Sequence, residues 1–274
     1  MTSLQRVWRL IVSSPARGPR NMALDEAILE CVAAGLSRPT LRLYGWSPPC
    51  LSLGYAQAIQ DVDRDRLAAF GWDLVRRPTG GRAILHADEL TYAVIGPASD
   101  PDLTGSVLES YLRLSRGLVA ALEEIGLTSL ARSNGAQPDP ESRPICFENP
   151  GPYEILAQGR KLVGSAQVRR KGAVLQHGSL PLIGDLTRIC QVLWYEGEPE
   201  RQEAGRRLQA KAATLEGVLG RPPSWDEAAR AFEAGFGRGI GVDLRPGEIS
   251  PAESERAARL ETERYASAGW TARL

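Results

Sequence analysis

Histidine is almost missing from this sequence, with only His86 and His177 in 274 residues. The four cysteines, Cys31, Cys50, Cys146 and Cys190, are scattered and form no CxxC pair. A structural zinc site needs about four Cys or His ligands at close spacing, so this inventory argues against a metal centre. Net charge is missing too. Lys+Arg and Asp+Glu stand at 33 each, so no whole-chain field steers the protein to nucleic acid or an anionic membrane. No apolar run approaches the roughly 20 residues that span a bilayer. The opening stretch, MTSLQRVWRLIVSSPARGPR, has arginines scattered through it and does not read as a signal peptide. A cytoplasmic protein is expected, and in that reducing compartment disulfides are not. GxxxxGK[ST] and GxSxG are both absent, which excludes a Walker A phosphate loop and a nucleophile-elbow serine hydrolase. There is no internal repeat or low-complexity tract.

What is present is ordinary globular composition, 43% hydrophobic, in a chain long enough for one large α/β domain. Strand patterns occur at Trp8–Val12, Leu41–Tyr44, Asp73–Arg77 and Leu90–Ile95, and again at Tyr153–Ala157, Lys161–Val168 and Ala173–Gln176. Helical spacing marks Asn21–Glu30, with Asn21 as its cap, then Asp63–Phe70 and Ser106–Ile125. Asn134–Pro144 is rich in Pro, Asp, Ser and Gly and reads as an exposed loop. After Asp185 helical patterns dominate, with Ser224–Glu227 as a capping box and Ser250–Ala266 as a final helix. The expected architecture is a single domain over 1–274, a mixed β-sheet flanked by helices (α/β, in the α+β sense). Residues 185–274 form its mainly helical cover.

Three glycine-rich segments are candidates for chemistry. Arg76-Arg77-Pro78-Thr79-Gly80-Gly81-Arg82 follows a strand. Adjacent glycines let backbone N–H groups approach a ligand, and the arginines suit an anionic or carbonyl-bearing one. A tight turn on a solvated basic edge fits that segment equally well. Gly159–Ala166 places Lys161 on a short strand between glycines, where it can point into a cleft. Arg160, Lys161, Arg169, Arg170 and Lys171 make a stretch without acids, which reads as a solvated hairpin or a face for an acidic partner. Gln176-His177-Gly178-Ser179 holds the second histidine. Gly235–Gly241 lacks the final glycine of a dinucleotide loop and follows a helix, so it reads as a helix end and turn.

RRPTGGRAILHADELTYAV, GRKLVGSA and LQHGSLPL, in this order, together with NMALDEAIL and LRLYGWSPPCLSLGY, closely resemble the lipoate/biotin protein ligase and octanoyltransferase family. The resemblance covers nearly the whole chain. It implies the mixed-sheet fold of that catalytic domain and a tunnel for a lipoyl or octanoyl chain. Arg77, Gly80, Gly81, His86, Gly164, Ser165, Ala166 and His177 are the substrate-binding residues it implies. Three chemistries compete within the family. Ligases activate a free acid with ATP, one transferase class has its cysteine after the lysine in a Pro-Cys-Gly turn, and a second has it before, in a Cys-Phe segment. Ile145-Cys146-Phe147 lies 15 positions ahead of Lys161 and is similar to the second class. Cys190, 29 positions after Lys161, lacks the Pro-Cys-Gly context. Cys31 reads as a small buried hydrophobe in a helix, and Cys50 as a packing residue.

On that resemblance Cys146 is the expected nucleophile and Lys161 the cation that favours its thiolate, with no cofactor. Lys161 or His177 is the expected acceptor of the amine's proton. The implied partners are acyl carrier protein, as octanoyl donor, and a lipoyl-domain protein such as the glycine cleavage H protein, as acceptor. A monomer is expected. An ATP-dependent ligase, an amidotransferase between lipoyl proteins and a non-catalytic acyl-binding module remain as alternatives.

Overall fold

The structure, a computed structural model, describes residues 6–132, 144–148 and 154–274. The first half contains β1 (Arg6–Val12), α1 (Gly18–Ala33), β2 (Thr40–Tyr44), β3 (Cys50–Leu53) and α2 (Arg64–Ala69). It continues with β4 (Asp73–Arg76), β5 (Ile84–His86), β6 (Glu89–Pro97), α3 (Val107–Glu124) and β7 (Leu130–Arg132). A single 3-10 turn, Cys146–Glu148, precedes β8 (Ile155–Ala157), β9 (Arg160–Arg170) and β10 (Ala173–Pro181). A 3-10 segment, Leu186–Gln191, then leads to α4 (Glu198–Lys211), α5 (Leu215–Leu219) and α6 (Trp225–Phe236). The last elements are β11 (Val242–Pro246), α7 (Pro251–Leu260) and α8 (Ala268–Thr271).

Among the described residues, eight strands form one mixed sheet in the order β11-β1-β2-β6-β10-β9-β8-β7, and β4-β3-β5 form a second, smaller one. β1 runs parallel to β2 and β11, while β6, β10 and β9 pair antiparallel. The period-2 alternation of β2 and β6 sorts their side chains to two faces. Leu41, Leu43, Tyr92 and Val94 pack with Leu114 and Leu118 of α3 and Phe232 and Phe236 of α6. Tyr44, Ala93 and Ile95 face Ile28 and Leu29 of α1. With both faces covered, β6 and β10 are buried almost throughout, in keeping with the apolar run Tyr92–Ile95 of β6. The mixed sheet between helices is the expected fold.

Several local expectations are corrected. Asn21 is not a cap. Helix α1 starts three residues earlier, at Gly18, with a proline in its first turn. Asn21 is instead buried, donating to the Ala16 and Gly45 carbonyls and accepting from Arg42. Ser224 caps α6, but Glu227 does not complete the box, because its carboxylate is taken by Arg221. The helix from Ser250 ends as α7 at Leu260 with a π-turn after it, and α8 follows. β3, β7 and β11 are strands without a strong alternation signal, and β11 lies inside the stretch read as helical cover. The glycine cluster does contain a helix end. It also lets two helices touch, since a Cβ on Gly235 would lie 2.2 Å from the Ala121 backbone nitrogen of α3. Most of the Asn134–Pro144 loop and Tyr153 lie outside the described residues.

Candidate active site

The turn carrying Cys146 is held by backbone. Ala83 N donates to the Pro144 carbonyl at 2.9 Å and Cys146 N to the Ala83 carbonyl at 3.0 Å, a short parallel bridge to the glycine-rich loop. Ile145 and Phe147 sink into an apolar cluster with Leu193 and Leu208, leaving Cys146 half-buried between them. From β9, the 1%-exposed Lys161 reaches the same turn. Its Nζ lies 3.0 Å from the Cys146 carbonyl oxygen, 3.7 Å from Cys146 Sγ and 2.7 Å from Glu154 Oε1. Burial works to lower the Lys161 pKa, but the sulfur and the Glu154 carboxylate outweigh it, and the net shift is upward. Lys161 is therefore an ammonium at neutral pH.

Cys146 opens onto a pocket enclosing about 420 Å³, its mouth included, between the main sheet and the glycine-rich loop. Met22, Tyr44, Trp46 and Ile84 supply apolar wall, and Arg77, Gly81, His86, Gly164, Ser165, Ala166 and His177 also line it. Gly80 does not line it; its carbonyl is turned onto Arg77. Nor does Lys161, which sits behind the cysteine. The Arg77 guanidinium is buried and gives its donors to the Ser52, Gly80 and Arg82 carbonyls and the Ser52 hydroxyl. Burial lowers its pKa to about 10, opposed by the nearby Cys146 sulfur.

Each histidine is clamped at both nitrogens. His177 Nδ1 is 3.2 Å from Asp25 Oδ2 and Nε2 is 2.7 Å from Thr79 Oγ1. Burial lowers the His177 pKa, its bond to Asp25 opposes the shift, and the net direction is down, so the ring is neutral. An Nδ1–H donating to the carboxylate leaves Nε2 to accept the Thr79 hydroxyl. His86 is held likewise between Glu89 Oε1 at 2.8 Å and Ser52 Oγ at 2.7 Å, with its ring stacked on Trp46 at 4.0 Å. What this arrangement can do is bind an apolar chain beside a sulfur that has a cation in contact.

The Lipoyl protein ligase A/B catalytic domain family matches residues 18–237. The chain belongs to that family. Among its curated relatives, the octanoyltransferase LipM of Symbiobacterium thermophilum is 43% identical over 97% of this chain and 98% of its own. Its counterparts in Kyrpidia tusciae and Bacillus subtilis are 40% and 36% identical over 98% and 97% of this chain, and 99% and 98% of theirs. An archaeal bipartite lipoate protein ligase from Thermoplasma acidophilum superposes with a TM-score of 0.81 at 25% identity. That match covers 97% of this chain and 96% of the ligase chain. A lipoate-protein ligase A bound with ATP gives a TM-score of 0.79 at 25% identity, over 96% and 98% of the two chains. This member of the family is an acyltransferase.

Within this acyltransferase, Cys31, Cys50 and Cys190 are buried and do not line the pocket. Burial pushes the thiol of Cys31 up and that of Cys50 well up, and Cys50 packs against Met22 and Val75 as a core residue. Sequence reasoning missed Glu154, Asp25, Glu89 and Thr79. Asp25 and Glu26 did carry a signal, as two acids inside an apolar helix stretch. Glu154 carried none, a single acid near the start of the strand pattern at Tyr153–Ala157.

Proposed function

We propose that the chain accepts an octanoyl group from acyl carrier protein as a thioester on Cys146 and passes it to a lysine of a lipoyl-domain protein, in lipoate biosynthesis. The observation that carries this reading is the 3.7 Å approach of Lys161 Nζ to Cys146 Sγ on the wall of an apolar pocket. A cation at that distance favours an anionic sulfur. In the first step the Cys146 thiolate attacks the carbonyl carbon of the donor thioester. The bond to the carrier's sulfur breaks, and that sulfur takes a proton from solvent. One thioester replaces another, so no nucleotide is consumed. In the second step the neutral lysine amine attacks the acyl carbon, an amide forms and the bond to Cys146 breaks. The amine's proton leaves to the departing sulfur or to water. Lys161, held as an ammonium, and His177, whose Nε2 is taken by Thr79, are poorly placed to accept it. Burying about six methylenes at ~0.8 kcal/mol each supplies roughly 5 kcal/mol to anchor the chain. A single methylene discriminates by only about 1–3 kcal/mol, so some transfer of neighbouring chain lengths is expected.

Octanoyl-carrier protein incubated with enzyme should leave a hydroxylamine-labile adduct that maps to Cys146, and Cys146→Ser should abolish both adduct and transfer. Full turnover by that variant would remove the assignment. Parallel reactions with octanoate plus ATP and with an octanoylated lipoyl protein decide the donor. Activity confined to the first would make the enzyme a ligase, and to the second an amidotransferase.

A further inference from the structure

The sulfur of Cys146 has a carboxylate in its surroundings as well as cations. Glu154 stands immediately before β8, is 7% exposed, and places Oε1 2.7 Å from Lys161 Nζ. The β8–β9 ladder is irregular here: Leu156 pairs with Lys161 and Ile155 with Val163, so Leu162 is the extra residue. An ammonium has three hydrogens. Lys161 meets three acceptors, the Glu154 carboxylate, the Cys146 carbonyl and the Cys146 sulfur. With two hydrogens committed to oxygen, the third is directed at Sγ. A lysine this deeply buried holds its proton only with such a partner.

We propose that Glu154 is the positioning residue of this site: its carboxylate keeps Lys161 charged and aimed at Cys146. Lys161 then serves as a fixed cation and not as the base for the incoming amine. The inference rests on the reading of Cys146 as the nucleophile. A residue that acts through Lys161 has nothing left to position once the lysine is gone.

Alkylation of Cys146 by iodoacetamide at pH 7, mapped by mass spectrometry, is compared in the native enzyme, Glu154→Gln, Lys161→Met and Lys161→Met/Glu154→Gln. Glu154→Gln alone is expected to slow alkylation roughly 3- to 10-fold and Lys161→Met to slow it at least as much, with the double variant no slower than Lys161→Met. Native-rate alkylation in Glu154→Gln, or a double variant slowed by the product of the two single losses, overturns the proposal. Should Lys161→Met fail to fold, Lys161→Gln, which keeps a hydrogen-bonding amide, replaces it in both variants. Alkylation needs no acyl donor. An octanoyl adduct found elsewhere than Cys146 would sink the nucleophile assignment, and the alkylation comparison would still report on Glu154.

Discussion

Arg77 shows how much one side chain can organise without touching an acid. Its guanidinium donates to the Ser52 carbonyl and hydroxyl on one side and to the Gly80 and Arg82 carbonyls on the other, so it ties the glycine-rich loop to β3. A lysine has a similar charge but no planar fork to serve four oxygens at once. Arg77→Lys is expected to cut octanoyl transfer by about tenfold or more and to destabilise the fold by about 2 kcal/mol, read by turnover and by urea titration. His177 and Asp25 predict a pH dependence. Burial lowers the His177 pKa from 6.5, so the unfolded chain binds a proton that the folded one resists. Its contribution is complete above pH 6.5 and fades as pH falls through the folded value. Burial would raise the Asp25 pKa, but Arg42 and His177 overcome it and the net shift is down, so a second loss follows below pH 3.8. The Tm should be flat in mild alkali and fall from about pH 6.5 downward, and His177→Gln should remove the first part of that decline. An unchanged pH profile in the variant would remove the buried neutral imidazole from the account.

At the scale of elements, termini and close approaches matter more than propensity. Helix α3 begins with a complete capping box, in which the Ser106 hydroxyl accepts from Glu109 N and the Glu109 carboxylate accepts from Ser106 N. Ser106→Ala should cost about 1 kcal/mol, visible in chemical denaturation with transfer retained. The junction after β3 is tighter. A Cβ on Gly54 would lie 1.9 Å from the Gly81 carbonyl oxygen, a backbone atom in a residue whose φ is +89°. Gly54→Ala must push the glycine-rich loop away from β3, so it should impair transfer more than a cap mutation although Gly54 does not line the pocket. Transfer at the native rate in Gly54→Ala would show that this loop position is not required.

Over the whole molecule, the last helix holds the first glycine-rich motif in place. The buried Arg76 donates Nε and Nη2 to the Thr271 carbonyl at 3.1 and 2.9 Å, and Trp270 Nε1 donates back to the Arg76 carbonyl at 2.8 Å. Arg273 lies over the rings of Tyr55 and Trp270, at 3.7 and 4.1 Å from their centroids. Trp270→Ala should therefore destabilise by about 2–3 kcal/mol and loosen β4 and the loop after it, lowering transfer as well as Tm. Protection of the Arg76–Arg82 amides in hydrogen exchange is the direct measurement.

The strands β1, β2, β6, β9 and β10, the helix α3 and the glycine-rich loops were legible in the sequence because alternation, helical spacing and caps are local. The choice of Cys146 among four cysteines came from the family resemblance, through the Cys-Phe context ahead of Lys161. What local pattern could not supply was proximity. Lys161 and Cys146 are brought together by a bridge at Ala83 and a ladder irregularity opposite Ile155. Glu154, Asp25 and Glu89 became site residues only because buried charges and histidines need partners, and folding chose which acids were near enough. The C-terminal stretch around Trp270 carries no motif in the sequence. Its part in fixing Arg76 arises from contacts between residues almost two hundred positions apart, and no local periodicity encodes such a distance.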